Sequence, residues 1–98
     1  MKKIDLRKEA RGRPCMVRLP GACNKNRETT VLAHINEKSL FMIGTGTKPP
    51  DIFGAWACSG CHEVIDHPCG DISDDEILIS FYQGVFRTQN ALLKEGLM

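Results

Sequence analysis

Four cysteines give this chain its clearest chemical signal. Cys58 and Cys61 form a Cys-x-x-Cys pair, and Cys15 and Cys23 flank a sharp turn at Pro20-Gly21. Two such pairs can supply four thiolates to a structural zinc ion, and we expect Zn²⁺ to bind all four cysteines. The alternatives are buried free thiols at both places, or a redox dithiol at Cys58 and Cys61 whose pKa is lowered at a helix N-terminus.

A histidine and an aspartate accompany the second cysteine pair at helical spacing. His62 and Asp66 lie four residues apart on a short helix predicted over residues 60–66, with Ser59 as the expected N-cap. Residues four apart project from one face of a helix. An imidazole and a carboxylate together suit a hard divalent cation such as Mg²⁺, with water in the open positions. A surface ion pair is the alternative for these two residues.

Two short strands and a loop must position these side chains. Residues 29–35 are rich in β-branched types and predict a strand with His34 near its end, and residues 52–57 predict a second strand. Residues 36–51 contain two glycines and two prolines and predict a long loop. In a domain this small, a loop of that length usually serves function.

A C-terminal amphipathic helix is predicted over residues 73–96. Ser73 and Glu76 have the form of a capping box, and Gly96 offers a stop. Apolar residues recur at helical spacing between these ends, and in so short a chain we expect their stripe to be core. The stripe consists of Ile77, Leu78, Phe81, Tyr82, Val85 and Phe86.

The chain has 98 residues, which is enough for one small α+β domain spanning residues 1–98. Charge is divided unevenly along it. Residues 1–27 contain nine Lys and Arg against two Asp and Glu, and residues 1–14 are expected to form a basic arm. A basic arm on an acidic body favours an anionic partner such as DNA, with a solvated basic face as the alternative. The candidate phosphate-binding cations are Arg7, Arg11, Arg13, Lys48 and Arg87.

Apolar runs in the chain are short. None reaches the roughly 18–20 residues of a membrane span, and no apolar signal core follows the N-terminal lysines, so we expect a cytoplasmic protein. In this reducing compartment, paired cysteines more often bind metal than form disulfides. A c-type haem at Cys58-Ser-Gly-Cys61-His62 is disfavoured there, and it would leave Cys15 and Cys23 unexplained.

The order of these residues resembles that of the zinc-bearing HNH nucleases, also called His-Me finger or ββα-metal nucleases. Two cysteines precede a strand that ends Leu32-Ala33-His34-Ile35, and Cys58-x-x-Cys61-His62 opens a helix. More closely, five dispersed blocks resemble the small prophage-encoded nucleases of the YbcO family: LRKEARGRPCMVRLPGAC, TTVLAHI, GTGTKPPD, ACSGCHEVID and RTQNALLKEG. The resemblance spans nearly the whole chain and implies a zinc-stapled ββα-metal domain with a long loop and a C-terminal helix.

The resemblance also implies roles for single residues. His34 would be the general base, His62 a ligand of the catalytic metal, and the four paired cysteines the structural zinc set. Many HNH nucleases have Asp or His immediately before the base, where this chain has Ala33, and an Asn that residues 37–57 lack. We therefore assign Asp66 to the missing ligand position, and Asp51 to a metal-binding or orienting role.

These expectations lead to a metal-dependent endonuclease that hydrolyses phosphodiester bonds in DNA. A neutral His34 would take the proton of the attacking water, and Mg²⁺ or another divalent cation would neutralise the developing negative charge. The alternative is a non-catalytic, zinc-stabilised nucleic-acid-binding module. RNA as a substrate and a protein partner or homodimer stay open, and no membrane partner is expected.

Overall fold

Short helices and strands precede one long helix in the computed structural model, which describes residues 5–35, 50–68 and 71–98. The predicted loop and Lys48 lie outside these residues, apart from Pro50 and Asp51. The elements, in chain order, are α1 (Leu6–Glu9), a 3₁₀ turn (Arg27–Thr29), β1 (Val31–Ala33), a second 3₁₀ turn (Asp51–Phe53), β2 (Ala55–Ala57), α2 (Ser59–Asp66) and α3 (Asp74–Lys94). A small α+β fold with a C-terminal helix is therefore confirmed.

The sheet has two antiparallel strands, β1 and β2, in which Leu32 is opposite Trp56. Both strands are shorter than predicted. Thr29 belongs to a 3₁₀ turn because its hydroxyl donates 2.8 Å to the Asn26 carbonyl instead of leaving the backbone extended. The predicted second strand begins only at Ala55, because Asp51–Phe53 forms a turn closed by the Gly54 N–H on the Asp51 carbonyl.

Helix α2 begins one residue earlier than predicted, and its N-cap is Cys58 rather than Ser59. The Cys58 Sγ accepts the N–H of Cys61 at 3.5 Å, the place that a hydroxyl or carboxylate occupies in ordinary caps. Ser59 lies in the first turn instead. Its N–H donates to Thr29 Oγ1 at 3.1 Å and its hydroxyl accepts from Asn24 at 2.8 Å, so the helix start is tied to the preceding loop.

Helix α3 has the predicted ends. The Ser73 hydroxyl accepts the Glu76 N–H at 3.2 Å, which confirms the N-cap. At the other end Gly96 has φ 73°, and the N–H groups of Gly96 and Leu97 reach the carbonyls of Leu93 and Leu92. This pair of bonds is a Schellman motif, which requires the left-handed conformation that glycine adopts without strain.

The inner face of α3 packs on β2, and Gly84 allows the close approach. A Cβ at Gly84 would lie 2.8 Å from Val17 Cγ2 and 3.2 Å from Ala55 Cβ. Ile77, Phe81 and Val85 are buried as expected, but Tyr82 and Phe86 are 40% and 70% exposed. The prediction that they belong to the core is wrong, because the sheet covers only one side of the helix.

A second, smaller core surrounds Trp56, the middle residue of β2. Trp56 packs with Ala10 and Leu92, and the Arg13 guanidinium lies 4.9 Å from the ring centroid. The Trp56 backbone N–H, which faces α3, donates to the Thr88 hydroxyl at 3.0 Å. In the described part of the chain, the helices are too short or too polar to cross a membrane.

Candidate metal centre and histidine site

The four predicted cysteines lie together. Their sulfurs are all within 4.8 Å of one another, and Sγ–Sγ distances are 3.7 Å for Cys15–Cys61 and 3.9 Å for Cys23–Cys58. A tetrahedron with Zn–S bonds of about 2.3 Å has edges of about 3.8 Å. The donor set therefore fits a tetrahedral metal ion in type, number and spacing.

Backbone N–H groups surround these sulfurs. Arg18 donates to Cys15 Sγ at 3.4 Å, Leu19 to Cys61 Sγ at 3.4 Å and Asn24 to Cys58 Sγ at 3.3 Å. Hydrogen bonds of this kind favour the charged thiolate over the thiol. The loop that carries them includes a left-handed Arg18, with φ 57°, a conformation uncommon outside glycine.

A second left-handed residue, Lys25, follows Cys23 and also has φ 57°. Its N–H donates to the Cys23 sulfur and so lowers the pKa of that thiol, although burial, the larger effect, raises it above the ordinary value. Sequence analysis missed both Arg18 and Lys25, because nothing in their types signals positive φ. The available signal was the position of each residue shortly after a predicted metal ligand, Arg18 after Cys15 and Lys25 after Cys23.

Charge within the cluster is shared unequally. A hydrogen bond from the Cys61 thiol lowers the pKa of Cys15 to about 4, and donating it raises the pKa of Cys61. Cys61 therefore keeps its proton beside a Cys15 thiolate while no cation is bound. Four thiolates require a compensating divalent cation, which is the chemistry of a structural Cys₄ site.

Gly60 joins the cysteine loop to α2. A Cβ at Gly60 would lie 2.0 Å from the Ala22 carbonyl oxygen, so no larger residue fits without moving backbone. Ala22 immediately precedes Cys23, and Gly60 immediately precedes Cys61. This contact sets the distance between the two halves of the cysteine cluster.

His34 emerges directly after β1 and meets Asp51, which opens the turn before β2. The His34 Nε2 lies 2.8 Å from Asp51 Oδ1, and the histidine side chain is only 11% exposed. Partial burial raises the pKa of Asp51, but the His34 hydrogen bond and the charge of Arg7 outweigh it and hold the pKa below its ordinary value. An ionised carboxylate can only accept, so Nε2 of His34 donates to Asp51 and Nδ1 is the ring nitrogen that this contact leaves open.

Arg7, from the basic arm, lies beside this pair. Its Nε is 3.5 Å from Asp51 Oδ1, and its side chain is 57% exposed. Helix α1, which carries Arg7, is capped by Asp5, whose carboxylate accepts the N–H groups of Arg7 and Lys8. The capped helix thus aims a mostly solvated guanidinium at the edge of the histidine site.

His62 and Asp66 form a second pair on α2. His62 Nε2 lies 3.1 Å from Asp66 Oδ2, and both side chains are 39% exposed. Asp51 bonds to His34 and does not join this pair. Within residues 5–35, 50–68 and 71–98, the four cysteines are the one group of three or more His, Cys, Asp and Glu side chains close enough together to hold a metal.

The remaining predicted cations have different positions. Arg13 binds Glu95 at 2.7 Å and Glu9 at 3.2 Å, and Arg87 donates to the Met16 carbonyl at 2.8 Å. These contacts give both side chains a structural task. Arg11 is exposed. Nucleic-acid binding by these residues and by Lys48, outside the described residues, stays a prediction.

The fold and site together define a small α+β protein with a four-cysteine cluster able to hold a metal ion beside a strand–strand–helix unit. The chain belongs to the YbcO family, because the family model described as "Putative nuclease YbcO" matches residues 4–97.

Two curated relatives carry that name, one from Escherichia coli K12 and one from Enterobacteria phage 82. Each is 50% identical over 94 residues, which is 96% of this chain and 96% of the relative. A solved structure described as a "putative bacteriophage protein" from Escherichia coli K-12 is 42% identical, covers 94% of this chain and 100% of that chain, and has a TM-score of 0.76.

Proposed function

We propose that the chain is a metal-dependent endonuclease of the ββα-metal (HNH) type that hydrolyses phosphodiester bonds in DNA, with His34 as general base. The observation that supports it most directly is the His34–Asp51 pair at the end of β1, 2.8 Å between Nε2 and Oδ1. The relatives' names point to the same class of activity. The relative from phage 82 fits a prophage protein acting in the bacterial cytoplasm.

The base in this proposal is Nδ1 of His34. Because Asp51 accepts the Nε2 proton, the imidazole is held as the tautomer whose Nδ1 carries a lone pair. Nδ1 takes a proton from the attacking water. At the same time the water oxygen bonds to phosphorus, and the P–O bond to the leaving group breaks. The resulting imidazolium is stabilised by the Asp51 carboxylate, which stays ionised.

His62 and Asp66 are the residues that would hold the catalytic cation. Their donor atoms face each other from one side of α2 and are partly solvated, which suits a hard ion that keeps several waters. Such a cation, Mg²⁺ in the simplest case, supplies neutralisation of the charge on the phosphate and the departing oxygen. Of the two roles expected for Asp51, its contact with His34 supports the orienting one.

The other residues of the site bind and position. Arg7, mostly solvated at the edge of the His34–Asp51 pair, would contact a phosphate of the same strand without reading sequence. The four cysteines would hold structural Zn²⁺, which fixes the start of α2. His62 follows Cys61 directly, so that ion would also position the catalytic pair.

One observation favours the second candidate, a non-catalytic zinc-stabilised nucleic-acid-binding module. In the described part of the chain, the histidine and aspartate pairs stay separate and do not make a group of three metal ligands. This module would bind DNA in a salt-sensitive manner, hold one zinc per chain and cleave nothing.

A plasmid-nicking assay separates the two candidates. The purified protein is incubated with supercoiled DNA in Mg²⁺, Mn²⁺ or EDTA, and its zinc content and DNA affinity are measured on the same samples. Nicking that needs added cation supports the nuclease. DNA binding with one zinc per chain and no nicking under any condition supports the binding module. Single-stranded DNA and RNA, tested alongside, define the substrate.

A further inference from the structure

The outward face of α3 is apolar over most of its length. Four large apolar side chains point away from the sheet. They are Ile79 (57% exposed), Tyr82 (40%), Phe86 (70%) and Leu93 (58%). We call them the outer stripe. At 1.5 Å per residue, the stripe is about 21 Å long. Solvent-facing helices usually carry charge on this side, so among residues 5–35, 50–68 and 71–98 the stripe is an unpartnered surface.

Charged residues are missing from the exposed positions along this face. From residue 77 to residue 93, the exposed positions are occupied by the outer stripe, Gln83 and Asn90. The charges lie at the helix ends. Asp74, Asp75 and Glu76 form the first turn, and Lys94 closes the last. Glu95, which follows, is paired with Arg13, so Lys94 is the cation that the C-terminal end offers.

The two ends of the outer stripe are equidistant from Phe86. Ile79 and Leu93 lie seven residues before and after it, and the exposed Tyr82 and Asn90 lie four residues before and after it. Two α3 helices packed antiparallel about a two-fold axis at Phe86 would place Phe86 against Phe86 and Ile79 against Leu93. A two-fold contact requires this kind of self-complementary surface.

The charges fit the same arrangement. In the antiparallel pair, the acidic first turn of one helix lies beside Lys94 of the other, and the two helix dipoles oppose each other favourably. A parallel pair would bring the acidic turns together. We propose that the chain forms a two-fold dimer through the outer stripe, with antiparallel α3 helices centred on Phe86. The inference does not depend on the proposed nuclease activity.

Sedimentation equilibrium over a range of protein concentrations measures the dimer. One helix face is small compared with a standard interface of roughly 800 Å² per partner, so we expect a dissociation constant in the micromolar range. Phe86→Glu, which places two carboxylates at the axis, should raise that constant at least about 100-fold. Val31→Glu, the same kind of change at an exposed apolar position of β1 (41% exposed), is the matched control and should leave it unchanged.

A charge swap tests the direction of the helices. Asp75→Lys and Lys94→Asp, made singly, should each weaken the dimer roughly 3- to 10-fold by placing like charges together. The double variant should restore it, although both changes oppose the helix dipole and cannot help the monomer. Circular dichroism verifies that each variant is folded.

Three results would overturn the proposal. A wild type that is monomeric at millimolar concentration would leave the outer stripe to another partner. A Phe86→Glu protein that is as dimeric as wild type would place the interface elsewhere. A double swap weaker than both single variants would exclude the antiparallel pairing.

Discussion

The Nε2 of His34 lies 2.8 Å from Oδ1 of Asp51, although 17 residues separate them in the chain. Pairing of β1 with β2 brings about this contact, because His34 follows one strand and Asp51 opens the turn before the other. The contact lowers the pKa of Asp51, and an ionised carboxylate can only accept a proton from Nε2. The proposed orienting role of Asp51 rests on this contact.

Asp51→Asn should lower kcat about 10- to 100-fold with little change in KM, because the amide no longer holds the correct tautomer while substrate contacts persist. Steady-state cleavage kinetics measure both parameters. Asp71→Asn, at an exposed position before α3, is the matched control and should behave as wild type. A drop confined to KM would show that Asp51 binds substrate and does not orient His34.

Removal of the proposed zinc should destabilise the fold. Because the four cysteines join the N-terminal loop to α2, losing the ion should lower the free energy of unfolding by at least about 2–3 kcal/mol and lower Tm by roughly 10–20 °C. Thermal unfolding followed by circular dichroism, before and after a strong chelator, measures the shift.

Variants of single cysteines provide the control for that experiment. Cys61→Ser should lose the metal, whereas Cys69→Ser, at the cysteine outside the predicted set, should keep one zinc per chain. Equal metal contents in these two proteins, or a Tm indifferent to the chelator, would contradict the Cys₄ site.

Gly60→Ala should destabilise the protein by about 3 kcal/mol, because the new Cβ would overlap the Ala22 carbonyl. Helix propensity alone predicts the opposite sign, a gain of up to about 1 kcal/mol. Urea unfolding of the metal-loaded protein gives the difference. Glu63→Ala, on the exposed side of the same helix, is the control for introducing an alanine into α2. Unchanged stability of Gly60→Ala would show that the α2–loop contact is looser than described.

The Arg13–Glu95 pair should make stability depend on acid pH. The hydrogen bond from Arg13 lowers the pKa of Glu95 below its ordinary value of 4.5. Because the pKa of Glu95 is lower in the folded protein, the ionised carboxylate stabilises the fold at pH values above its ordinary pKa. This contribution is lost as the pH falls through the lowered pKa of the folded protein. Wild type should therefore exceed Glu95→Gln in stability at neutral pH, and the gap should close below pH 4.5. Urea midpoints at several pH values show this, and a gap independent of pH would contradict it.

Local chemistry made some elements predictable from sequence. Ser73 and Gly96 define the ends of α3 through hydrogen bonds to residues within one or two turns, so the local sequence is enough to locate these ends. The cysteine set also followed from spacing, since thiolates have few other uses in such pairs. The β-branched and apolar runs and the cap signal before α2 correctly predicted the order of β1, β2 and α2.

Other features depend on contacts distant in sequence and could not be predicted. The contacts of Arg13 with Glu95, 82 residues away, and with the ring of Trp56 could not be foreseen from its place in the basic arm. The exposure of Phe86 depends on how much of α3 the two-stranded sheet covers. Cys58 is the N-cap in place of Ser59 because its sulfur, held in the cysteine cluster, also accepts the Cys61 N–H, a preference that cap statistics do not contain.

The central claim is that His34 is the base of a nuclease. The most direct test is the single-turnover rate of plasmid nicking with Mg²⁺ by wild type and His34→Ala, each verified for folding and zinc content. His67→Ala, which removes an exposed histidine at the end of α2, is the matched control. The account predicts a loss of about 10²- to 10⁴-fold for His34→Ala and none for His67→Ala. A His34→Ala protein that cleaves within a few-fold of wild type would contradict it.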